Sequence, residues 1–407
     1  MATTRGRLLP GTLLAALAVF PALVAAVADP LSLARLPADW RLDLDPETVT
    51  VSGLSSGGWM AHQLHVVHSA SIAGAGILAA GPYQCAGGRS LLCSTAGFWL
   101  PAGSCQATVV CTAIMRQSFG GWGVYLGPPD LAPLLQTTHR RADEGAIDPL
   151  DGLGGDRVWL FTGADDAFAP AEVMAVLRDY YRTLLIEIGS DASPRSLAFV
   201  DSVDVAHAMV IDVPGPAADN TCRDQGLPHI NDCDYAAASE MLGFLYAPVR
   251  PDDPPPVRPA AAAWQAGSLY AFDQRPFFDT ADDSVSLHAT GHLFVPQACR
   301  DGRRCRLHIA LHGCRQSQDV VEKECLGRTG CRPLLFFRDA GYNEWAEANA
   351  TVILYPQATV WGGAADVARN PQGCWDWWGY SGADYDTKSG KQIRAIMAMI
   401  GPLTGRP

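Results

Sequence analysis

The five residues Gly53-Leu54-Ser55-Ser56-Gly57 read G-x-S-x-G, and their surroundings limit what the chain can become. The preceding Thr48–Ser52 is a short β-branched run that predicts a strand, and Gly58–Val67 opens a helix. Strand, sharp turn and helix are the setting in which this motif presents a serine nucleophile. Such a turn strains its central serine, so the residues two positions to either side must be small. Gly53 and Gly57 meet that requirement. A plain Gly/Ser surface turn competes for the five residues alone, but the flanking strand and helix favour the nucleophile.

The chain has 407 residues, enough for one large α/β domain or two ordinary ones. Residues 1–28 are not expected to join the core. Arg5 and Arg7 give a basic start, Leu8–Ala26 is almost wholly apolar, and Ala26-Val27-Ala28 offers a small-x-small cleavage site. This predicts a secretory signal peptide cleaved near Ala28, and a secreted protein, extracellular or periplasmic. Loss of the two arginines moves the net charge from −12 to −14. An acidic chain without basic clusters is a poor partner for nucleic acid or anionic membranes. No later segment reads as a membrane span, and a monomer is expected.

Twelve cysteines follow the leader, in neighbouring pairs: Cys85/Cys93, Cys105/Cys111, Cys222/Cys233, Cys299/Cys305 and Cys325/Cys331, with Cys314 and Cys374 left over. Spacing does not fix connectivity, but an even count at short range argues for disulfides in an oxidising compartment. A zinc site on these cysteines would need clustered C-x-x-C or matching His spacing beside them, and neither occurs. His62, His65 and His68 recur at helical spacing, and a partly exposed helix face is expected for them rather than a metal site.

A Pro-rich connection over 251–263 joins two blocks. Strands are expected at 48–52, 158–162, 196–201, 307–311 and 351–354. Helices are expected at 58–68, 170–187, 234–246, 336–349 and 391–400. Alternation of this kind predicts an α/β fold: one mainly parallel sheet assembled from both blocks, helices on both faces, a single domain over 29–407.

A serine hydroxyl attacks only after a base takes its proton, and the base needs an acid to orient it. In parallel-sheet serine hydrolases the chain order is Ser, then Asp or Glu, then His, on loops after later strands. Val158–Gly163 is an apolar strand running into Ala164-Asp165-Asp166, and Ser196–Asp201 is followed by a loop bearing His207. Asp166 is the better acid because it lies further into the loop, with Asp165 in reserve. His207 is the histidine on the loop after the first expected strand that follows that acid. One oxyanion donor should be the amide of Ser56. The other normally comes from an HGGG-like loop after an earlier strand, yet here His312-Gly313-Cys314 follows the strand Leu307–Leu311, far downstream. The edge that should come first comes last, which implies a circular permutation.

Gly53–Gly58, Gly81-Pro-Tyr-Gln-Cys85, His312-Gly-Cys-Arg-Gln316, Leu354-Tyr-Pro-Gln357 and Gly373-Cys-Trp-Asp-Trp-Trp-Gly-Tyr380 together resemble the secreted poly(3-hydroxybutyrate) depolymerases, in their circularly permuted single-domain form. The resemblance spans nearly all of the chain after the leader. It implies an α/β-hydrolase fold and hydrolysis of a short-chain polyester through an acyl-enzyme, with no metal or organic cofactor. It places the nucleophile at Ser55, the acid at Asp166, the base at His207 and the oxyanion amides at Ser56 and Cys314, and it implies a Cys314–Cys374 bridge. Two departures from the family pattern stand out: the acid sits in Gly163-Ala-Asp-Asp166 rather than Gly-Thr-x-Asp, and His207 follows Ala206 rather than glycine. No appended substrate-binding domain is read, so attachment to polymer is expected to rest on the catalytic surface. Trp375, Trp377, Trp378 and Tyr380, with Trp361, are candidate substrate-binding aromatics, about half of them expected in the crevice and half in the core. A feruloyl or acetyl-xylan esterase is the alternative of the same chemistry. A non-catalytic polymer-binding protein is the alternative of another class.

Overall fold

The structure is a computed structural model that describes residues 29–405 apart from 88–92, 94–101, 119–121, 213–219, 249–254, 259–267, 327–334 and 364–368. The expected signal peptide and most of the Pro-rich connection lie outside the described residues.

Strands from both blocks meet in a nine-stranded sheet. Those used below are β1 (Asp43–Leu44), β2 (Thr50–Leu54), β3 (Gly74–Leu78), β4 (Arg157–Gly163), β5 (Leu197–Val203), β6 (Met209–Ile211), β7 (Asn220–Thr221), β8 (Ile230–Asp232), β9 (Leu269–Asp273), β10 (Thr290–Phe294), β11 (Arg304–Leu311) and β12 (Thr351–Tyr355). The order is β5-β4-β3-β2-β11-β12-β10-β9, with β1 attached to β11. The run from β5 to β12 is parallel, and β10 and β9 close one edge antiparallel. Strands β6, β8 and β7 form a separate three-stranded sheet.

Alternation along each strand feeds two cores. Val158 and Leu160 enter one cluster, with Ile309 and Leu354, while Trp159 and Phe161 enter the other, with Ala310 and Ile353. Helices α1 (Ser56–Val67), α2 (Ala171–Glu187) and α5 (Lys391–Thr404) cover the first face. Helices α3 (Ala237–Leu245) and α4 (Tyr342–Ala348) cover the second. A sheet covered on both faces is the arrangement in which parallel strands are stable.

The expected strands and helices appear within a few residues of their boundaries, and the structure adds elements that were not expected, among them β9, β10 and the helices Leu131–Asp143 and Gln318–Cys325; three further points stand out. The helix expected over 336–349 is broken into Phe336–Asp339 and α4, because Gly341 takes φ 81°. Strand β3 had no strong sequence signal. Its glycines explain that: a side chain at Gly76 would fall 2.0 Å from Met241 Sδ, so packing against α3 demands residues with weak strand propensity. Finally, α1 is buried along its whole length and offers no exposed histidine face; His62 and His65 are enclosed and His68 is partly covered. Among the described residues no group of three or more His, Cys, Asp or Glu is placed to hold a metal, and no helix is long and apolar enough to cross a membrane.

The elbow is fixed by contacts that only glycine permits. A Cβ on Gly53 would lie 2.3 Å from the carbonyl of Gly57, and one on Gly57 would lie 2.3 Å from the Leu311 carbonyl. The second contact is with β11, so the elbow and the neighbouring strand approach as closely as backbones allow. Gly57→Ala should lower the urea-unfolding free energy by about 1–3 kcal/mol or more and remove Ser55 reactivity; an active, equally stable variant would contradict this packing.

Burial also shapes the acid response. Desolvation pushes His62 and His308 down to about 3, and His68, His229, His292 and His312 down to about 4. Unfolded histidines titrate near 6.5, so below that pH the unfolded chain binds more protons than the folded one. Stability is therefore lost as pH falls from about 6.5 toward these lowered values. Urea midpoints should be flat above neutrality and fall from pH 6.5 to 5. His62→Gln should make that fall shallower, by at most about 1.4 kcal/mol per pH unit.

Candidate active site

The geometry begins with the pairing of β11 and β2, in which Leu311 lies opposite Gly53. One imidazole locks that register: His308 on β11 meets Thr50 Oγ1 through Nδ1 and Ser52 Oγ through Nε2, both at 2.7 Å. The loops leaving β2 and β11 therefore emerge side by side. One carries Ser55, the other His312-Gly313-Cys314.

Ser55 takes φ 55° and ψ −121°, a conformation that costs about 1–3 kcal/mol for a residue with a Cβ. Its amide is tied to Leu78 at the end of β3 (2.9 Å), and its carbonyl starts α1. Ser56 is the first residue of α1, so its N–H has no acceptor one turn back and points outward at the positive end of the helix. A Cβ built on Gly313 would lie 3.4 Å from the Cβ of Ser55, which puts the second loop beside the candidate nucleophile. Among the described residues neither the Ser56 nor the Cys314 amide is matched with a protein acceptor.

The candidate acid and base lie on the loops that follow β4 and β5. Asp166 Oδ2 meets His207 Nδ1 at 2.8 Å, and its Oδ1 accepts from the amides of Phe168 (2.8 Å) and Ala169 (2.9 Å). The carboxylate is fully buried and the imidazole nearly so. With Nδ1 taken, Nε2 is the nitrogen left for a serine proton. The reserve acid, Asp165, points away into an ion pair with Arg223 at 3.1 Å. The loop can turn so tightly because Gly163 packs on the Val205 carbonyl, where a Cβ would come within 2.1 Å.

The small sheet β6-β8-β7 sits behind His207. Met209 donates to the His229 carbonyl (2.8 Å), and the Cys222–Cys233 disulfide ties β7 to the end of β8. His229 Nδ1 meets the His207 carbonyl at 3.1 Å, and the two rings lie 6.3 Å apart. Burial holds His229 neutral, at about 4. Sequence reasoning missed His229, since nothing in its spacing marks it, and it missed the supporting roles of His312 and Gln316 beyond their place in a motif.

Disulfides join Cys85 to Cys111, Cys93 to Cys105, Cys222 to Cys233, Cys299 to Cys305 and Cys314 to Cys374, and Cys325 is bridged as well. The first two are nested, Cys93–Cys105 inside Cys85–Cys111, and do not follow the Cys85/Cys93 and Cys105/Cys111 grouping of the sequence. The Cys314–Cys374 bridge fastens the His312-Gly313-Cys314 loop to the aromatic segment.

That segment wraps around one carboxylate. Asp376 accepts from the amides of Gly379 (2.7 Å), Tyr380 (3.1 Å) and Ser381 (2.8 Å). Trp375 is wholly buried and its Nε1 donates to the His312 carbonyl (3.0 Å), while Trp377 is 5% exposed and stacks on Trp59 at 4.0 Å. These two rings are therefore corrected from substrate contact to packing. Trp378, Tyr380 and Trp361 stay partly exposed and form a chain of rings, with Trp378 and Tyr380 4.9 Å apart and Tyr380 and Trp361 6.3 Å apart.

No protein-family model matches the chain. A poly(3-hydroxybutyrate) depolymerase of Delftia acidovorans is 35% identical over 369 residues, covering 90% of this chain, which spans 61% of that protein's length. A polyhydroxybutyrate depolymerase of Talaromyces funiculosus is 30% identical over 388 residues, covering 93% of this chain and 95% of that one. Among solved structures, the crystal structure of the PHB depolymerase from Penicillium funiculosum superposes with a TM-score of 0.69 at 27% identity, over 91% of this chain and 99% of the other. A serine-to-alanine form of a PHB depolymerase, complexed with an R3HB trimer, superposes with a TM-score of 0.67 over the same shares. Likeness that runs almost end to end with the fungal relative, in sequence and in an α/β-hydrolase fold, makes this chain a member of the polyhydroxybutyrate depolymerases, a family of serine carboxylic ester hydrolases.

Proposed function

We propose that the chain is a secreted serine esterase that cleaves the ester bonds of poly(3-hydroxybutyrate) or its oligomers. The observation that carries this reading is the near full-length likeness to polyhydroxybutyrate depolymerases, one of them complexed with an R3HB trimer. In this reading Ser55 Oγ attacks the ester carbonyl while His207 Nε2 takes its proton. Asp166 holds His207 in the Nδ1–H tautomer and stabilises the imidazolium. The amides of Ser56 and Cys314 receive the oxyanion. His207 returns the proton to the leaving alkoxide, and water then releases the hydroxyacid by the same steps in reverse order. Trp378, Tyr380 and Trp361 offer aromatic surface to the polymer's methyl and methylene groups. The carbohydrate-ester alternative is not favoured, because the relatives are named for the polyester. The disulfides support work in an oxidising, extracellular or periplasmic compartment, with residues 29–407 acting as one domain.

Clearing of a turbid poly(3-hydroxybutyrate) suspension by the purified protein tests the proposal, with Ser55→Ala beside it and a butyrate ester and methyl ferulate as soluble substrates. Clearing by the wild type alone is expected. Hydrolysis of ferulate without clearing would sink the polyester reading. Asp166→Asn should lower kcat on the butyrate ester by about 10³–10⁴-fold, because an amide at that position favours the wrong imidazole tautomer. Asp165→Asn should change it less than about tenfold; the reverse ranking would exchange the two aspartates' roles.

A further inference from the structure

The two peptide units leading to the Cys314 amide are gripped at three of their four polar atoms. In the unit joining His312 to Gly313, the carbonyl accepts from Trp375 Nε1 at 3.0 Å and the N–H donates to Gln316 Oε1 at 2.7 Å. In the next unit the Gly313 carbonyl lies 2.7 Å from His312 Nδ1. The fourth atom is the Cys314 N–H, the one that the proposed chemistry needs free.

The tautomer of His312 follows from its other nitrogen. The amide of Ala358 reaches Nε2 at 3.1 Å. A backbone N–H can only donate, so Nε2 carries no proton and Nδ1–H donates to the Gly313 carbonyl. A peptide unit is planar and trans, with its C=O and N–H pointing opposite ways. Holding the Gly313 oxygen therefore aims the Cys314 hydrogen. Gln316 adds a second tie: its Nε2 donates to the carbonyls of Pro228 and His229, both at 3.0 Å, and His229 in turn bonds the His207 carbonyl. His312 is fully buried and Gln316 is 2% exposed.

We infer that His312 and Gln316 are positioning residues that aim the Cys314 amide at the oxyanion formed on Ser55, with Gln316 fixing that loop relative to the segment that bears His207. The inference rests on the function proposed above. Neither side chain touches substrate; each acts through the backbone.

Paired substitutions separate aim from packing. His312→Asn keeps a donor near the Nδ1 position, whereas His312→Gln carries its amide out to the Nε2 position and leaves the Gly313 carbonyl only the longer bond from the Gln316 N–H, at 3.2 Å. On a soluble butyrate ester, His312→Gln should lose about 10²-fold in kcat with KM little changed, and His312→Asn should stay within about tenfold of wild type. Gln316→Leu should behave like His312→Gln. Affinity for a boronic acid that forms a tetrahedral adduct on Ser55 should fall in parallel with kcat. Equal losses in the two His312 variants, or a raised KM at unchanged kcat, would overturn the inference. So would a Gln316→Leu protein with wild-type kcat. A wild type that an organophosphonate does not label on Ser55 would overturn the functional reading, and the inference with it; a labelled, active wild type matched by His312→Gln would overturn the inference alone.

Discussion

Everything in the site hangs on the pairing of β2 with β11, and the buried His308 is what fixes it. An imidazole bonded on both nitrogens to hydroxyls of the adjacent strand tolerates no slip, because a shift of one residue would turn those hydroxyls to the other face. Tyr246 and Tyr342 complete the network by bonding Thr50 and Ser52 at 2.6 and 2.8 Å. A polar cluster in this position specifies one register where aliphatic side chains would allow neighbours of similar energy. The elbow glycines then convert register into contact, since Gly57 rests directly on the Leu311 carbonyl.

From that pairing outward the site is held mostly by main chain. The Ser55 amide is tied to β3, Asp166 is fixed by two amides of its own loop, and His207 is backed by the small sheet through Met209 and His229. Side chains supply the cross-braces between loops that arrive from distant parts of the sequence, as Trp375 does for the His312 carbonyl. Strain at Ser55 is sustained because so many bonds around it leave no relaxed alternative.

Much of this was legible in the sequence, and the reasons are local. The elbow announces itself because strand, small residues and helix must be contiguous. Asp166 and His207, which the structure pairs, could be picked out as candidates because each follows an expected strand. The inverted placement of His312-Gly313-Cys314 forecast which strands must be neighbours. What escaped depends on partners distant in sequence: β3, whose glycines serve the packing of α3; the burial of α1; the nesting of Cys85–Cys111 around Cys93–Cys105; and His229. Trp375 shows the limit most clearly. A tryptophan in an aromatic run reads the same whether it meets substrate or core, and only the His312 carbonyl beside it decides.

The strand order has a consequence for how the molecule is made. The elbow lies near the start of the described chain, while β11 and its loop belong to the last third, and the segment bridged to Cys314 comes later still. During synthesis the serine emerges long before the amide opposite it exists. Under the proposed roles of Ser55 and the Cys314 amide, the nascent chain carries an incomplete site until nearly all of it has been produced, and hydrolytic competence arrives with completion of the fold.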